Sequence, residues 1–87
     1  MRIKKELIMR EIAGDIILVP VGKTVLENNG LFLLNEVSGD IWKLINQGKN
    51  REEIIADMID MYDAAPEQIR ADTEEFLDLL IQKDILE

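Results

Sequence analysis

The chain has 87 residues, of which 47% are hydrophobic and 32% charged, and its formal net charge at pH 7 is −8. This length and composition predict a single compact domain over residues 1–87. No apolar run reaches the roughly 18 residues that a membrane span needs, the N-terminus has no signal-peptide pattern, and cysteine is absent. We therefore expect a cytoplasmic protein that does not bind membranes.

The first part of the chain predicts three short strands, separated by turn signals and a loop. The strands are expected at Leu7–Ile12, Ile16–Val19 and Leu31–Leu34. Ala13-Gly14-Asp15 and Asn29-Gly30 are turn sequences, and residues 21–28 predict an irregular loop. Pro20 should end the second strand or place it at a sheet edge, because proline cannot donate a hydrogen bond to a sheet.

Two amphipathic helices are predicted next, and the first follows the third strand without a linker. Asn35 can cap the first helix, and Gly48 suits its exit. Gly39 inside this helix costs about 1 kcal/mol relative to alanine, which predicts close packing there. Asn50 and Glu53 are spaced like a capping box for the second helix. The core positions predicted for the two helices are Val37, Ile41, Leu44, Ile45, Ile54, Ile55, Met58, Ile59 and Tyr62.

The third helix is predicted to begin at Pro66 and to reach about Lys83, after which Ile85 and Leu86 fold back onto the core. At about 100° per residue, the stripe that faces the core consists of Ile69, Thr73, Phe76 and Leu80. Leu77 and Ile81 lie to one side of this stripe, next to Arg70. They either pack on the strands or form the floor of a groove beside an open sheet edge, where an extended peptide can add as a strand.

These elements predict an α+β fold, in which a three-stranded antiparallel sheet is followed by three helices in a winged helix-turn-helix-like arrangement. Such a fold can bind DNA, but its recognition helix should then carry lysine and arginine. The third helix, Pro66–Asp84, has a net charge of −4, and residues 51–87 have a net charge of −9. We therefore expect no nucleic-acid partner, although direct DNA binding stays an alternative.

The composition also argues against catalysis. Histidine and cysteine are both absent, and no glycine-rich phosphate-binding motif is present. Asp57, Asp60 and Asp63 recur every third residue, but successive positions drift about 60° around a helix and converge poorly on a cation. We interpret them as a solvated face, and expect no catalytic residue, no metal site and no cofactor.

Several residues along the chain carry a family resemblance. They are Leu34-Asn35 after the hydrophobic strand, Ile41, Leu44 and Gly48 in the first helix, Ile54-Ile55 and Tyr62 in the second, and Asp72, Phe76-Leu77 and Leu80 in the third. In this order and spacing the chain resembles the PqqD-like family, named for pyrroloquinoline quinone biosynthesis protein D. Two positions depart from the family pattern: Asp84 stands where many relatives have glycine, and Thr73 replaces the more usual valine.

The resemblance implies a non-catalytic domain that binds the leader of a ribosomally made precursor peptide and presents it to a modifying enzyme, often a radical S-adenosylmethionine maturase. The leader is expected to add as a strand beside the third strand and to lie against the third helix. Carried onto this chain, the peptide-binding residues are Leu31, Phe32, Leu33, Leu34, Arg70, Asp72, Leu77 and Ile81. Arg70 could pair with an acidic leader residue, or with Glu67 or Glu74 on its own surface.

A purely structural role is the remaining alternative. Three strands with an open edge can pair with a second copy of the chain, and that contact would occupy the edge that a peptide needs. We expect a monomer or a weak dimer.

Overall fold

The computed structural model describes residues 1–21 and 32–87. The elements are β1 (Leu7–Ile12), β2 (Asp15–Pro20), β3 (Phe32–Leu34), α1 (Glu36–Asn46), α2 (Arg51–Met61) and α3 (Pro66–Gln82). The predicted α+β fold, with an antiparallel three-stranded sheet before three helices, is confirmed. Of the loop predicted for residues 21–28 only Val21 is described, and the Asn29-Gly30 turn and Leu31 lie outside the described residues.

The sheet has the strand order β1-β2-β3, and both pairings are antiparallel. Ala13 and Gly14 connect β1 to β2 with φ angles of 52° and 87°. Positive φ at both central residues is typical of the two-residue hairpin turns whose twist matches that of the strands. Because β2 is the central strand, β3 has one edge without a strand partner among the described residues.

Alternation along the strands gives the sheet two different faces. The inner face meets the helices through Leu18 and Leu34, which are both buried. Leu33 points away from them and is 72% exposed. The strand register places it beside Ile17, and Ile17 beside Arg10. We call this side the outer sheet face; it consists of Ile8, Arg10, Ile12, Ile17, Val19 and Leu33.

Side chains cap α1 and α2 as predicted. Asn35 Oδ1 accepts a hydrogen bond from the Ser38 backbone N–H at 2.8 Å. Asn50 and Glu53 form a reciprocal capping box, with bonds of 2.9 and 3.0 Å. These contacts satisfy backbone donors that a helix start leaves without partners. The Asn35 cap fixes where α1 begins, with only Asn35 between it and the end of β3.

Gly39 is the point at which α1 packs closely on the sheet. A Cβ atom placed on Gly39 would lie 3.1 Å from Cδ1 of Ile16 in β2. The predicted close packing is confirmed, and it explains a glycine in a helix interior that otherwise favours alanine. The contact sets the position of α1 relative to β3.

The chain after α3 turns back onto the core, as predicted. The Ile85 N–H donates to the Leu80 carbonyl and the Asp84 N–H to the Ile81 carbonyl, which is the bond pattern of a Schellman motif. Asp84 occupies the left-handed position of this motif with φ 60°, where glycine is the usual residue. Ile85 and Leu86 are both buried in the core.

The core joins the inner sheet face to all three helices. Its buried members are Leu18, Leu34, Ile41, Trp42, Leu44, Ile45, Ile54, Met58, Ile69, Leu77, Leu80, Ile85 and Leu86. Four positions predicted as core, Val37, Ile59, Tyr62 and Phe76, are only half-buried at its margin. Thr73 is fully buried, and its Oγ1 has no hydrogen-bond partner among the described residues.

Candidate functional site

A groove of about 340 Å³ lies between α1 and α3. Its lining residues come from the start of α1 and from one face of α3: Asn35, Val37, Ser38, Ile41, Asp72, Glu75, Phe76 and Leu79. The α3 members are spaced i, i+3, i+4 and i+7, so they share one helix face. The groove is therefore built from two helix faces that the fold fixes rigidly.

The floor of the groove is apolar. Ile41 is fully buried beneath it, and Val37 and Phe76 are half-buried. Leu79 remains 44% exposed at one end. Leaving a leucine and a phenylalanine partly open to water forfeits hydrophobic stabilisation of the free domain. Covering them with an apolar side chain of a partner would recover that free energy.

The rim of the groove on α3 is acidic. Asp72 and Glu75 are both exposed, and Gln68 Nε2 donates a hydrogen bond of 2.8 Å to Asp72 Oδ1. None of the described lining residues is basic. The site therefore combines an apolar floor with a negatively charged rim.

β3 ends next to this groove. Leu34 ends β3, and Asn35, the next residue, both caps α1 and lines the groove. An extended chain paired with this edge would advance about 3.3 Å per residue and point alternate side chains to opposite sides. One set would point toward the helices and the groove, and the other would lie beside Leu33 on the outer sheet face.

The residues predicted for strand pairing have different positions. Phe32, Leu33 and Leu34 form β3, whereas Leu31 lies outside the described residues. Leu33 is accessible, and Leu34 is buried on the inner face. Backbone pairing does not require the Leu34 side chain to be exposed, so the role of this strand in peptide binding stays a prediction.

Of the residues predicted for the helical wall, Asp72 alone lines the groove. Leu77 does not line this groove and is fully buried in the core, which agrees with the packing alternative for this residue. α3 packs mainly against α2, and the helix is turned so that its buried residues are Ile69, Thr73, Leu77 and Leu80. This rotation buries Leu77 and moves Phe76 to the margin.

Arg70 and Ile81 lie on the other flank of α3. The Arg70 guanidinium is 3.4 Å from Glu52 on α2 and 3.4 Å from Glu74. The predicted surface pair with Glu74 is confirmed, and the hydrogen bond to Glu52, with Glu74 adding to it, raises the pKa of Arg70. Ile81 is 41% exposed and does not line the groove.

Sequence reasoning missed Glu75, Phe76 and Leu79 as groove residues. Phe76 was expected in the core, and the other two were not singled out. A signal was present, because these residues and Asp72 recur at i, i+3, i+4 and i+7 beside the core stripe. Two acidic and two apolar residues on one helix face are typical of a surface that is neither core nor fully solvated.

A second concavity, of about 720 Å³, also borders the β3–α1 junction. It is lined by Glu11, Gly14, Asp15, Ile16, Leu33, Leu34, Asn35, Glu36, Gly39, Asp40 and Lys43. Tyr62 donates its hydroxyl proton to Asp40 at its border, and partial burial together with this hydrogen bond raises the pKa of Tyr62. This contact ties α2 to α1 and has a structural role.

Two further properties concern the described residues alone. Within residues 1–21 and 32–87, no three acidic side chains are grouped so that they could hold a metal ion. In the same part of the chain, no helix combines the length and the apolar character that crossing a bilayer requires.

Known proteins provide an independent comparison. The family model of coenzyme PQQ synthesis protein D (PqqD) matches residues 16–86. The fold is similar to a solved structure described as TbiB1 in complex with the TbiA(beta) leader peptide, with a TM-score of 0.76 and 26% sequence identity over 100% of this chain and 95% of that one. No curated protein matches the sequence. The family match spans the sheet from β2 onward and all three helices, and the chain belongs to the PqqD family.

Proposed function

We propose that the chain binds the leader segment of a ribosomally made precursor peptide. The observation that carries this proposal is that Asn35, which directly follows β3 and its free edge, lines the apolar groove between α1 and α3. The similarity to TbiB1, whose structure contains a leader peptide, supports it. The proposed binding residues are Phe32, Leu33 and Leu34 for backbone pairing, and Asp72, Glu75, Phe76 and Leu79 with Val37 and Ile41 for the groove.

Strand addition suits a partner whose sequence varies. Backbone hydrogen bonds between strands require an extended peptide but few particular side chains, while pockets supply selectivity. β3 has only three residues, so the edge can provide few such bonds. The groove must therefore contribute much of the binding free energy, through one or two apolar side chains of the peptide.

We infer that the domain has a presenting role and catalyses nothing itself. The sequence contains neither histidine nor cysteine, and the groove offers carboxylates and apolar side chains without a nucleophile–base pair. A short leader segment buries an area near or below the low end of stable interfaces, which suits a partner that is captured and passed on. The receiving partner in this proposal is a modifying enzyme, such as a radical S-adenosylmethionine maturase.

Two substitutions of an apolar residue by uncharged glutamine test the groove. Leu79→Gln removes an apolar contact in the groove, whereas Met61→Gln makes a similar change at the end of α2, away from it; the two side chains are 44% and 54% exposed. We expect L79Q to weaken binding of a fluorescent leader peptide about tenfold in an anisotropy titration, and M61Q to leave it unchanged. The leader is that of a precursor encoded beside this chain. Equal affinities for all three proteins would contradict the proposed site.

Self-association is a second candidate, and the outer sheet face favours it. Ile8, Ile12 and Leu33 are large, apolar and exposed on this face, and exposed apolar clusters are typical of interaction surfaces. Sedimentation between 5 and 500 μM, with and without leader peptide, separates the two roles. A mass that rises with concentration and is unaffected by peptide would favour dimerisation through this face.

A further inference from the structure

Four of the five acidic residues of α3 divide into two pairs according to their partners. Glu74 and Asp78 form ion pairs with Arg70 and Arg51, on the side of the helix that faces α2. Asp72 and Glu75, which border the groove, have no cationic partner among the described residues; Asp72 accepts only the neutral amide of Gln68. Negative charge is therefore compensated on one flank of α3 and left uncompensated at the groove.

This asymmetry has a physical consequence for any ligand in the groove. Asp72 and Glu75 lie about one helical turn apart, and Phe76, which forms part of the floor, lies on the same face of α3. An apolar side chain that covers Phe76 excludes water next to the two carboxylates, which strengthens their interaction with a nearby charge. An acidic neighbour in the peptide would be repelled, and a basic neighbour would be attracted.

The groove itself has room for few side chains. Its volume of about 340 Å³ suits one large or two small apolar side chains, and its lining residues offer no basic group to a peptide carboxylate. Lysine and arginine have long apolar stems that can lie along such a floor while the charged group reaches the rim. The charge of the rim therefore discriminates among peptides that fill the floor equally well.

We infer that this groove selects leader segments in which a lysine or arginine lies within about three residues of the apolar side chain that fills it. The inference rests on the proposed function and specifies the chemistry of its ligand. It reverses the expectation of an acidic leader residue paired with Arg70, because Arg70 is already paired on the other flank. Each rim contact should change affinity by a factor of about 2–5, as for exposed to partly buried ion pairs.

Selection from a bead-displayed library of random 12-residue peptides tests the inference without a known leader. Three proteins are compared: the native chain, the rim variant D72N/E75Q, and the control variant D60N/D63N. Both variants lose two exposed carboxylates, but Asp60 and Asp63 line none of the described concavities. The control therefore removes the same net charge and preserves the rim, and unfolding curves of the variants verify that all three are folded.

The native chain and D60N/D63N should enrich peptides that combine an apolar residue with a nearby lysine or arginine, whereas D72N/E75Q should keep the apolar preference and lose the basic one. For a selected peptide, raising NaCl from 50 to 300 mM should weaken native binding several-fold and affect D72N/E75Q much less.

The two possible failures are distinguishable. Apolar peptides without basic enrichment, or basic enrichment that survives in D72N/E75Q, would overturn the inference and leave the proposed function standing. If the native chain enriches no peptide at all, both the inference and the proposed function are overturned.

Discussion

Arg70 on α3 lies beside Glu52 on α2, with 3.4 Å between the guanidinium Nη2 and the carboxylate Oε2. The pair occupies the flank of α3 opposite the groove, and Glu74 extends it along the helix. One flank of α3 therefore serves the packing of the domain, and the other is open to a ligand.

Arg70→Ala should leave leader-peptide affinity within about twofold of the native value, since Arg70 does not line the groove. Phe76→Ala, on the groove flank, should weaken binding about tenfold or more, because it removes part of the apolar floor. Anisotropy titrations of a labelled leader peptide measure both. Loss of binding in R70A with little effect of F76A would place the peptide on the other flank.

Thr73→Val should increase the free energy of unfolding by about 1 kcal/mol, because it replaces a buried hydroxyl without a partner by a methyl group of similar shape. Thr73→Ser is the matched control: it keeps the hydroxyl, removes a buried methyl group, and should lower stability by about 1 kcal/mol. Urea denaturation measures both changes. A T73V domain that is less stable than the native one would show that the hydroxyl has a partner in solution.

Gly39→Ala should gain less than the about 1 kcal/mol expected from helix propensity, because the new Cβ would lie 3.1 Å from Cδ1 of Ile16. Ile16→Val removes that carbon atom. In the Ile16→Val background, Gly39→Ala should therefore be more favourable than in the native chain. A double-mutant cycle from denaturation curves gives the difference, and strict additivity would contradict the packing described for α1.

Asp84 should contribute a pH-dependent part of the stability. Its hydrogen bond and charge pairing with Lys4 lower its pKa in the folded state. The contribution is fully present above the unfolded pKa of about 3.9 and is lost as pH falls through the lower folded value. Asp84→Asn tolerates the same left-handed backbone but has no charge, so its Tm should lie below the native Tm at pH 7.

The Tm values of the native chain and of Asp84→Asn should approach each other as the pH is lowered from 5 to 2. Thermal unfolding followed by circular dichroism measures this convergence. A constant difference over that range would show that the charge of Asp84 has no role. Asp84→Gly provides a conformational comparison, since glycine adopts φ near 60° without strain.

The parts of the fold that were predictable depend on local sequence. Asn35, Asn50 and Gly48 mark helix ends through contacts within a few residues, and short apolar runs next to turn residues identify β1 and β2 without knowledge of the rest. Gly39 indicated close packing because a helix-interior glycine is costly. The cap and strand signals have their physical cause within one turn or one hairpin, whereas the cause of the Gly39 signal is a contact with Ile16 in β2.

The groove was less predictable, because its position depends on the rotation of α3 against α2. Phe76 and Leu77 are neighbours about 100° apart around the helix, and a modest rotation decides which one is buried. The pair of Arg70 with Glu52, 18 residues away in sequence, is part of that interface and leaves no local pattern. The rotation buries Leu77 in the core and leaves Asp72 lining the groove, and the part of either residue in peptide binding stays a prediction.

The most direct test is a heteronuclear NMR titration of the labelled chain with the leader peptide of a precursor encoded beside it. We predict amide shifts clustered on Leu33 and Leu34 in β3 and on Phe76 and Leu79 in α3, with Arg70 and Ile81 little affected. No shifts at millimolar peptide, either alone or with the modifying enzyme present, would contradict leader binding by this domain.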